Sequence, residues 1–376
     1  MIATPGPPNV ETLTVDAGPA GAINTAFVSV KVCVPGSPSS CKTIDHIEVD
    51  TGSIGLRILS SALTAAPAIT LPPHTDGTNP LAECLRFADG DAWGPNAVAD
   101  IQLPVSGESA TNVNVQIIGD PAYATLPMDC MTNPENTVAK FGANGILGVG
   151  PFAQDCGGAC VGGIPTTGAV YYGCPSTSTC APAPATLVQQ LQNPVSLFAT
   201  DFNGVIVELP AVAAAGATTA SGSLVFGIGT RTNNALGMAT VLPEDPNSGN
   251  ITGTYKGTAY ANGYLDSGSN GNYFTDSSLT TPACTGSNAG IFYCPASMMS
   301  ETASLKGTTT TTLTADFSVG DADTIPAGYT VFAGLAGPNS DPQGFDLGLP
   351  FFYGHNVYTA IEGNTISGNM GPFFAY

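Results

Sequence analysis

At 376 residues the chain is long enough for a substantial core and for two domains. Its formal charge is −20, from 28 acids against 8 bases, which excludes a nucleic-acid partner because little is available to neutralise phosphates. A hydrophobic content of 43% excludes intrinsic disorder.

The chain opens on MIATPGPPNV, which reads as an exposed tail left after removal of an export signal. Aliphatic runs beyond it are short, and Gly, Pro, Ser and Thr recur between them, so many short strands are expected and few helices. The expected strands are AFVSVKVCV (26–34), HIEVD (46–50), VNVQIIG (113–119), GVIVELP (204–210), GSLVFGIG (222–229) and YTVFAGLAG (329–337). Each is rich in β-branched or aromatic residues, with turn formers nearby. PSTSTCAPAPAT (175–186) reads as a loop, and TLVQQLQ (186–192) as a short helix stopped by Pro194. TTTTTLT (308–314) suits a strand or a loop. No apolar run approaches the roughly 18 residues of a membrane span.

Ten cysteines point to an oxidising compartment, hence to a secreted, periplasmic or cell-surface protein. Cys33–Cys41 and Cys284–Cys294 are the expected local disulfides, and Cys84–Cys130 is a plausible third. Cys156, Cys160, Cys174 and Cys180 allow three connectivities. Neither a zinc site nor any other metal is expected, because His46, His74 and His355 are scattered and no paired ligand spacing appears. Asp321 and Asp323 in GDADT read as a solvated turn before they read as a calcium site. Gly-rich phosphate loops are missing, so no cofactor is expected, and Gly-x-Ser-x-Gly does not occur.

One short pattern occurs twice. VDTGS places Asp50 before Thr51, Gly52 and Ser53, and LDSGS places Asp266 before Ser267, Gly268 and Ser269. Each is followed, roughly a hundred residues on, by Leu-Gly among apolar residues: NGILGVGPF (144–152) and GFDLGLPFF (344–352). A single Asp-[Ser/Thr]-Gly-[Ser/Thr] arises by chance roughly once in ten such chains, and two in this order far less often. A duplicated β domain accounts for the order. Two unrelated Gly-bearing turns would account for one copy only.

At these residues the sequence resembles the pepsin-like aspartic peptidases. VDTGS is similar to that family's first catalytic loop and LDSGS to its second, while the two Leu-Gly segments are similar to those that cross behind the loops. LRFADGDAWG (85–94) resembles the flap hairpin, with Phe87, Asp89, Gly90 and Trp93 against the substrate. The resemblance covers most of the chain in islands, and extends to a group of exported bacterial proteins with pepsin-like motifs. It implies an all-β, bilobal fold with a central cleft. Residues 1–230 would form an N-terminal lobe carrying Asp50 and the flap, and residues 231–376 a C-terminal lobe carrying Asp266. Departures are Phe87 where the family usually has tyrosine, and Arg57 where it often has tryptophan.

The chemistry suits the pattern. Two carboxyls held face to face share a proton; the ionised member activates water and the protonated member donates to the carbonyl oxygen. Gly52 and Gly268 would present N–H groups to the carboxylates, and Ser53 and Ser269 would bond their outer oxygens. By the resemblance, Thr51 and Ser267 would each reach the opposite loop's backbone. The expected protein is thus a monomeric aspartic endopeptidase acting on extended polypeptide in acid, which a pI near 4.1 suits. The alternative is a catalytically inactive binding protein of the same shape, with a protein or glycan partner. A β-sandwich adhesin is a third class, which the doubled motif disfavours.

Overall fold

The computed structural model describes residues 2–376, and the protein is all-β: each of its three α-helices has four or five residues. The first half supplies β1 (Val10–Val15), β2 (Ala26–Cys33), β3 (Cys41–Asp50), β4 (Ile54–Leu59), β5 (Leu81–Arg86), β6 (Asp91–Gln102), β7 (Ser109–Ile118), β8 (Gly145–Val149), β9 (Tyr171–Ser176), β10 (Thr179–Pro182), β11 (Gly204–Glu208) and β12 (Ala220–Phe226). The second supplies β13 (Val241–Pro243), β14 (Ile251–Tyr255), β15 (Thr258–Leu265), β16 (Asn272–Phe274), β17 (Met299–Lys306), β18 (Thr312–Val319), β19 (Ala336–Gly337), β20 (Gly344–Leu347) and β21 (Asn356–Ala360). A small hairpin, β22 (Thr365–Ile366) with β23 (Asn369–Met370), precedes β24 (Phe373–Ala375).

Burial follows the residue pattern. In β18 apolar residues alternate with Ser, Thr and Asp, and in β17 Met299, Glu301, Ala303 and Leu305 alternate with Ser, Thr and Lys, so that one face is largely buried while the other meets solvent. β4, β8 and β11 are buried along their whole length. One apolar cluster runs through both halves, from Val49, Leu56 and Leu147 to Leu265, Phe274 and Leu347.

The strands form a fifteen-stranded sheet and a seven-stranded sheet, besides the small hairpin. β13, β21 and β24 join the large sheet through the β11–β21 pairing, so sheet membership does not change at residue 230. Within each sheet the doubled sequence pattern becomes a doubled structural unit. β8, bearing Leu147-Gly148, runs parallel to β3 on one side and antiparallel to β4 on the other. β20, bearing Leu347 before Gly348, runs parallel to β15 and antiparallel to β16. In both, the motif loop joins the two strands flanking the Leu-Gly strand.

Five of the six expected strands form. The stretch 329–337 does not: Thr330 and Val331 both donate to Ala217 O, Phe332 donates to Asn24 Oδ1, and a turn follows, leaving only the two residues of β19. The expected helix at 186–192 is a single turn. The amides of Gln189 and Gln190 bond Thr186 O, but that of Leu191 goes to Tyr171 Oη and that of Asn193 to Ala153 O, so no helical ladder continues. The loop at 175–186 is largely the β9–β10 hairpin, and 308–314 divides into a turn and the start of β18.

All three named disulfides form, and the remaining four cysteines pair as Cys156–Cys160 and Cys174–Cys180. Five disulfides fit an extracytoplasmic protein. Among the described residues no helix is long and apolar enough to cross a membrane.

Candidate functional site

The two Asp-containing loops meet. Thr51 Oγ1 donates to Leu265 O (3.0 Å) and accepts from Ser267 N (2.9 Å). Ser267 Oγ donates to Val49 O (2.7 Å) and accepts from Thr51 N (3.1 Å). The four bonds are related by approximate two-fold symmetry, all are buried, and each joins a side-chain hydroxyl to a backbone group of the opposite loop.

This clasp sets the carboxyls. Gly52 N donates to Asp50 Oδ1 (2.7 Å) and Gly268 N to Asp266 Oδ1 (2.8 Å). A Cβ on Gly268 would stand 2.6 Å from Asp50 Oδ1 and 3.2 Å from Asp266 Oδ1, and one on Gly52 would stand 2.7 Å from Asp266 Cγ. The two acids therefore approach the same pair of glycines from opposite loops. Glycine is required here by the close approach of the opposite carboxylate, because neither residue has a left-handed backbone. The Leu-Gly strands brace the loops as closely: a Cβ on Gly148 would strike Ile54 N at 2.7 Å, and one on Gly348 would strike Ser269 O at 2.4 Å.

The two serines differ. Ser269 Oγ donates to Asp266 Oδ2 (3.0 Å), whereas Ser53 Oγ is buried with no partner among the described residues. Burial, then the neighbouring Asp50 and Asp346, pushes the Asp266 carboxyl well above the usual range. Burial also raises Asp346, which occupies the place in FDLG that Ile146 holds in NGILGVG. Two carboxyls so placed can share one proton and hold a water between them.

Above them lies a groove of about 360 Å³ lined by both loops, by Leu85–Ala88, and by Phe152, Asp155, Gly249 and Tyr264, among others. Leu85–Ala88 belong to the β5–β6 hairpin, closed by the bond from Phe87 N to Gly90 O (2.8 Å). A strap of residues 129–135 holds the hairpin from outside: Arg86 donates to Asp129 O, Asn133 Nδ2 to Asp89 O, and Cys84 is bonded to Cys130. Phe87 faces the groove and packs edge-on against Phe141. Asp89 is exposed at the hairpin tip, and Gly90 leaves room for Asn133 O, which a Cβ would meet at 2.4 Å.

Trp93 is not a groove residue. Its indole N–H donates to Tyr123 O (2.9 Å) and its ring packs against Tyr172 beside the Cys84–Cys130 bridge. Residues alternate across a strand, so the odd-numbered side of β6 here serves the disulfide cluster.

Arg57, noted as a departure, lies fully buried between Glu83 (2.6 Å) and Asp155 (3.2 Å). Asp155 and Asp346 carry no local motif and were not singled out; aligning the two Leu-Gly segments residue by residue exposes Asp346 opposite Ile146. Asp321 and Asp323 are engaged in turns: Asp321 caps the short helix after it, and Asp323 accepts from Thr285 and Asn288.

Among known proteins, the family model described as "Protein of unknown function (DUF3443)" matches residues 5–376, and the chain belongs to that family. No curated protein matches it.

Proposed function

We propose that this member of the DUF3443 family is an aspartic endopeptidase of bilobal, pepsin-like architecture. Asp50 and Asp266 would activate a water between them at the cleft floor. The observation that carries the reading is the pair of duplicated loops, clasped through Thr51 and Ser267, that brings two carboxyls to one point below a groove. The proton shared by the pair resides on Asp266, where burial favours the neutral form. That proton polarises the scissile carbonyl while Asp50 accepts from water; the roles then reverse as the amine leaves. An extended polypeptide fits the groove, passing between the Phe87 hairpin and the floor. The protein acts as a monomer, secreted, periplasmic or at the cell surface.

The test is cleavage of casein or a peptide library between pH 3 and 6, with and without pepstatin. Asp50→Asn and Asp266→Asn should each abolish cleavage while leaving the fold intact; activity that survives either change overturns the reading. Phe87 favours a second reading, because its ring carries no hydroxyl for the groove and is engaged with Phe141. In that case the groove binds protein or glycan without cleaving, and a wild-type chain that cleaves nothing but retains a partner supports it.

A further inference from the structure

One buried face of the large sheet is polar. Register sets Arg57 on β4 opposite Gln116 on β7, and Gln116 opposite Asn96 on β6. Glu83 on β5 lies opposite Gly94, two residues from Asn96 and on the same side. Arg57, Glu83, Asn96 and Gln116 are all fully buried. The segments around Asp155, Tyr171 and Gln190 cover them, where a sheet would ordinarily present aliphatic side chains.

Arg57 is the hub of this layer. Its Nη1 donates to Ile54 O (2.6 Å), in the segment directly after the Asp50 loop. Its Nη2 donates to Glu83 Oε1 (2.6 Å) and to Asp155 Oδ2 (3.2 Å). Glu83 stands on the strand that leads into the Phe87 hairpin, and its carbonyl accepts from Gln116 Nε2 (2.8 Å). Asp155 lines the groove and accepts from Tyr171 Oη (2.7 Å), which in turn accepts from Leu191 N (2.7 Å). Several polar atoms of the layer lack a protein partner among the described residues: Arg57 Nε, Glu83 Oε2, Gln116 Oε1 and both amide atoms of Asn96. Buried groups of this kind recruit ordered water. One guanidinium also faces two carboxyls, so the cluster retains a proton or loses stability.

The geometry points to Arg57 as a positioning residue that fixes the flap hairpin and the groove wall relative to the Asp50 loop. This rests on the reading of the groove as a catalytic cleft. Glu83, Asp155 and the start of Arg57's own strand meet on one planar fork, and a lysine ammonium presents no such fork to a carbonyl and two carboxylates together. The residue acts through Glu83 and Asp155 and touches no substrate. It supplies, by charge and hydrogen bonding, a brace for a flap whose aromatic residue has no hydroxyl.

The test compares the full-length wild type with Arg57→Lys and Glu83→Gln by hydrogen exchange without substrate, and by peptide kinetics in acid. Amides of residues 84–90 should exchange at least ~10-fold faster in both variants, while β17 and β18 keep their protection. The kcat/KM should fall about ten-fold or more, chiefly through KM, because the Thr51–Ser267 clasp that sets the two acids is untouched. Flap exchange unchanged in both variants, or accelerated equally across the whole molecule, overturns the proposal. A wild type that cleaves nothing while both variants still loosen the flap refutes the peptidase reading and leaves the anchor standing.

Discussion

Raising the pH from 4 to 8 should destabilise this protein through carboxyls whose surroundings favour the neutral form. Burial, then Asp89, pushes Glu135 up to about 7 from 4.5. Burial and a hydrogen bond to the Asp201 carboxyl push Glu108 up to about 7 as well. Glu48, Asp155, Glu244, Asp266 and Asp346 are raised too, burial being the largest cause in each. A carboxyl raised in the folded state prefers its neutral form there. Its stabilisation is complete below the unfolded value near 4 and is lost as pH climbs through the folded value. At about 1.4 kcal/mol per pH unit the rise for Glu135 or Glu108 corresponds to roughly 3 kcal/mol. Halving that for solvent screening leaves about 1.5 kcal/mol each. Opposing groups act elsewhere. Despite burial, Lys256 and Ser278 hold Asp276 down to about 2, so its contribution is lost only below about pH 4. His74, lowered by burial, favours higher pH, but it is one group against many. The sum places maximal stability near pH 4 to 5. Calorimetric melting from pH 3 to 8 should show Tm falling by roughly 6 °C or more between pH 5 and 8, at ~2 °C per kcal/mol for a chain this size. Glu135→Gln and Glu108→Gln should each raise Tm at pH 8 and leave it nearly unchanged at pH 4. A Tm that is flat or rises from pH 5 to 8 refutes the reasoning, as does a slope that neither substitution alters.

Three further outcomes are expected on the peptidase reading proposed above. Thr51→Ala removes two buried bonds of the clasp, and at about 1 kcal/mol each it should lower stability by ~2 kcal/mol in urea unfolding while reducing peptide cleavage by at least ten-fold. Gly52→Ala places a methyl 2.7 Å from Asp266 Cγ, so circular dichroism should remain native while cleavage falls by roughly 100-fold. Asp346→Asn removes a neighbouring carboxyl whose ionised form raises Asp266, so the alkaline limb of kcat/KM against pH should move to lower pH.

The doubled Asp-Ser/Thr-Gly-Ser motif and its trailing Leu-Gly were legible because they encode backbone geometry: glycine where a carboxylate or a strand crosses too closely for a Cβ, hydroxyls where a loop needs partners. The all-β class followed from short β-branched runs between turn formers. Segment 186–192 was misread because its pattern suits a helix while its amides are taken by Tyr171 and Ala153, partners distant in sequence. Trp93 was misassigned because strand alternation, not proximity to Phe87, decides which face a residue serves. The Arg57 layer was legible only as an anomaly. Its partners Glu83, Gln116 and Asp155 lie on other segments, and no local spacing announces them.

The duplication leaves one question of its own: two equivalent loops would make two equivalent acids, which share a proton evenly, yet the surroundings of these two differ. Symmetry is retained where the loops clasp and broken in what surrounds the carboxyls. Ser269 donates to Asp266, while Ser53, its counterpart, finds no partner among the described residues. The apolar Ile146 behind the first loop is matched by Asp346 behind the second. A third buried carboxyl on one side penalises ionisation on that side, and Asp266 is the acid it raises. The departures from the repeat thus make the surroundings of the two acids unequal, so substitutions that restore the symmetry, such as Asp346→Ile, should leave the clasp formed and weaken the preference for the acid form of Asp266.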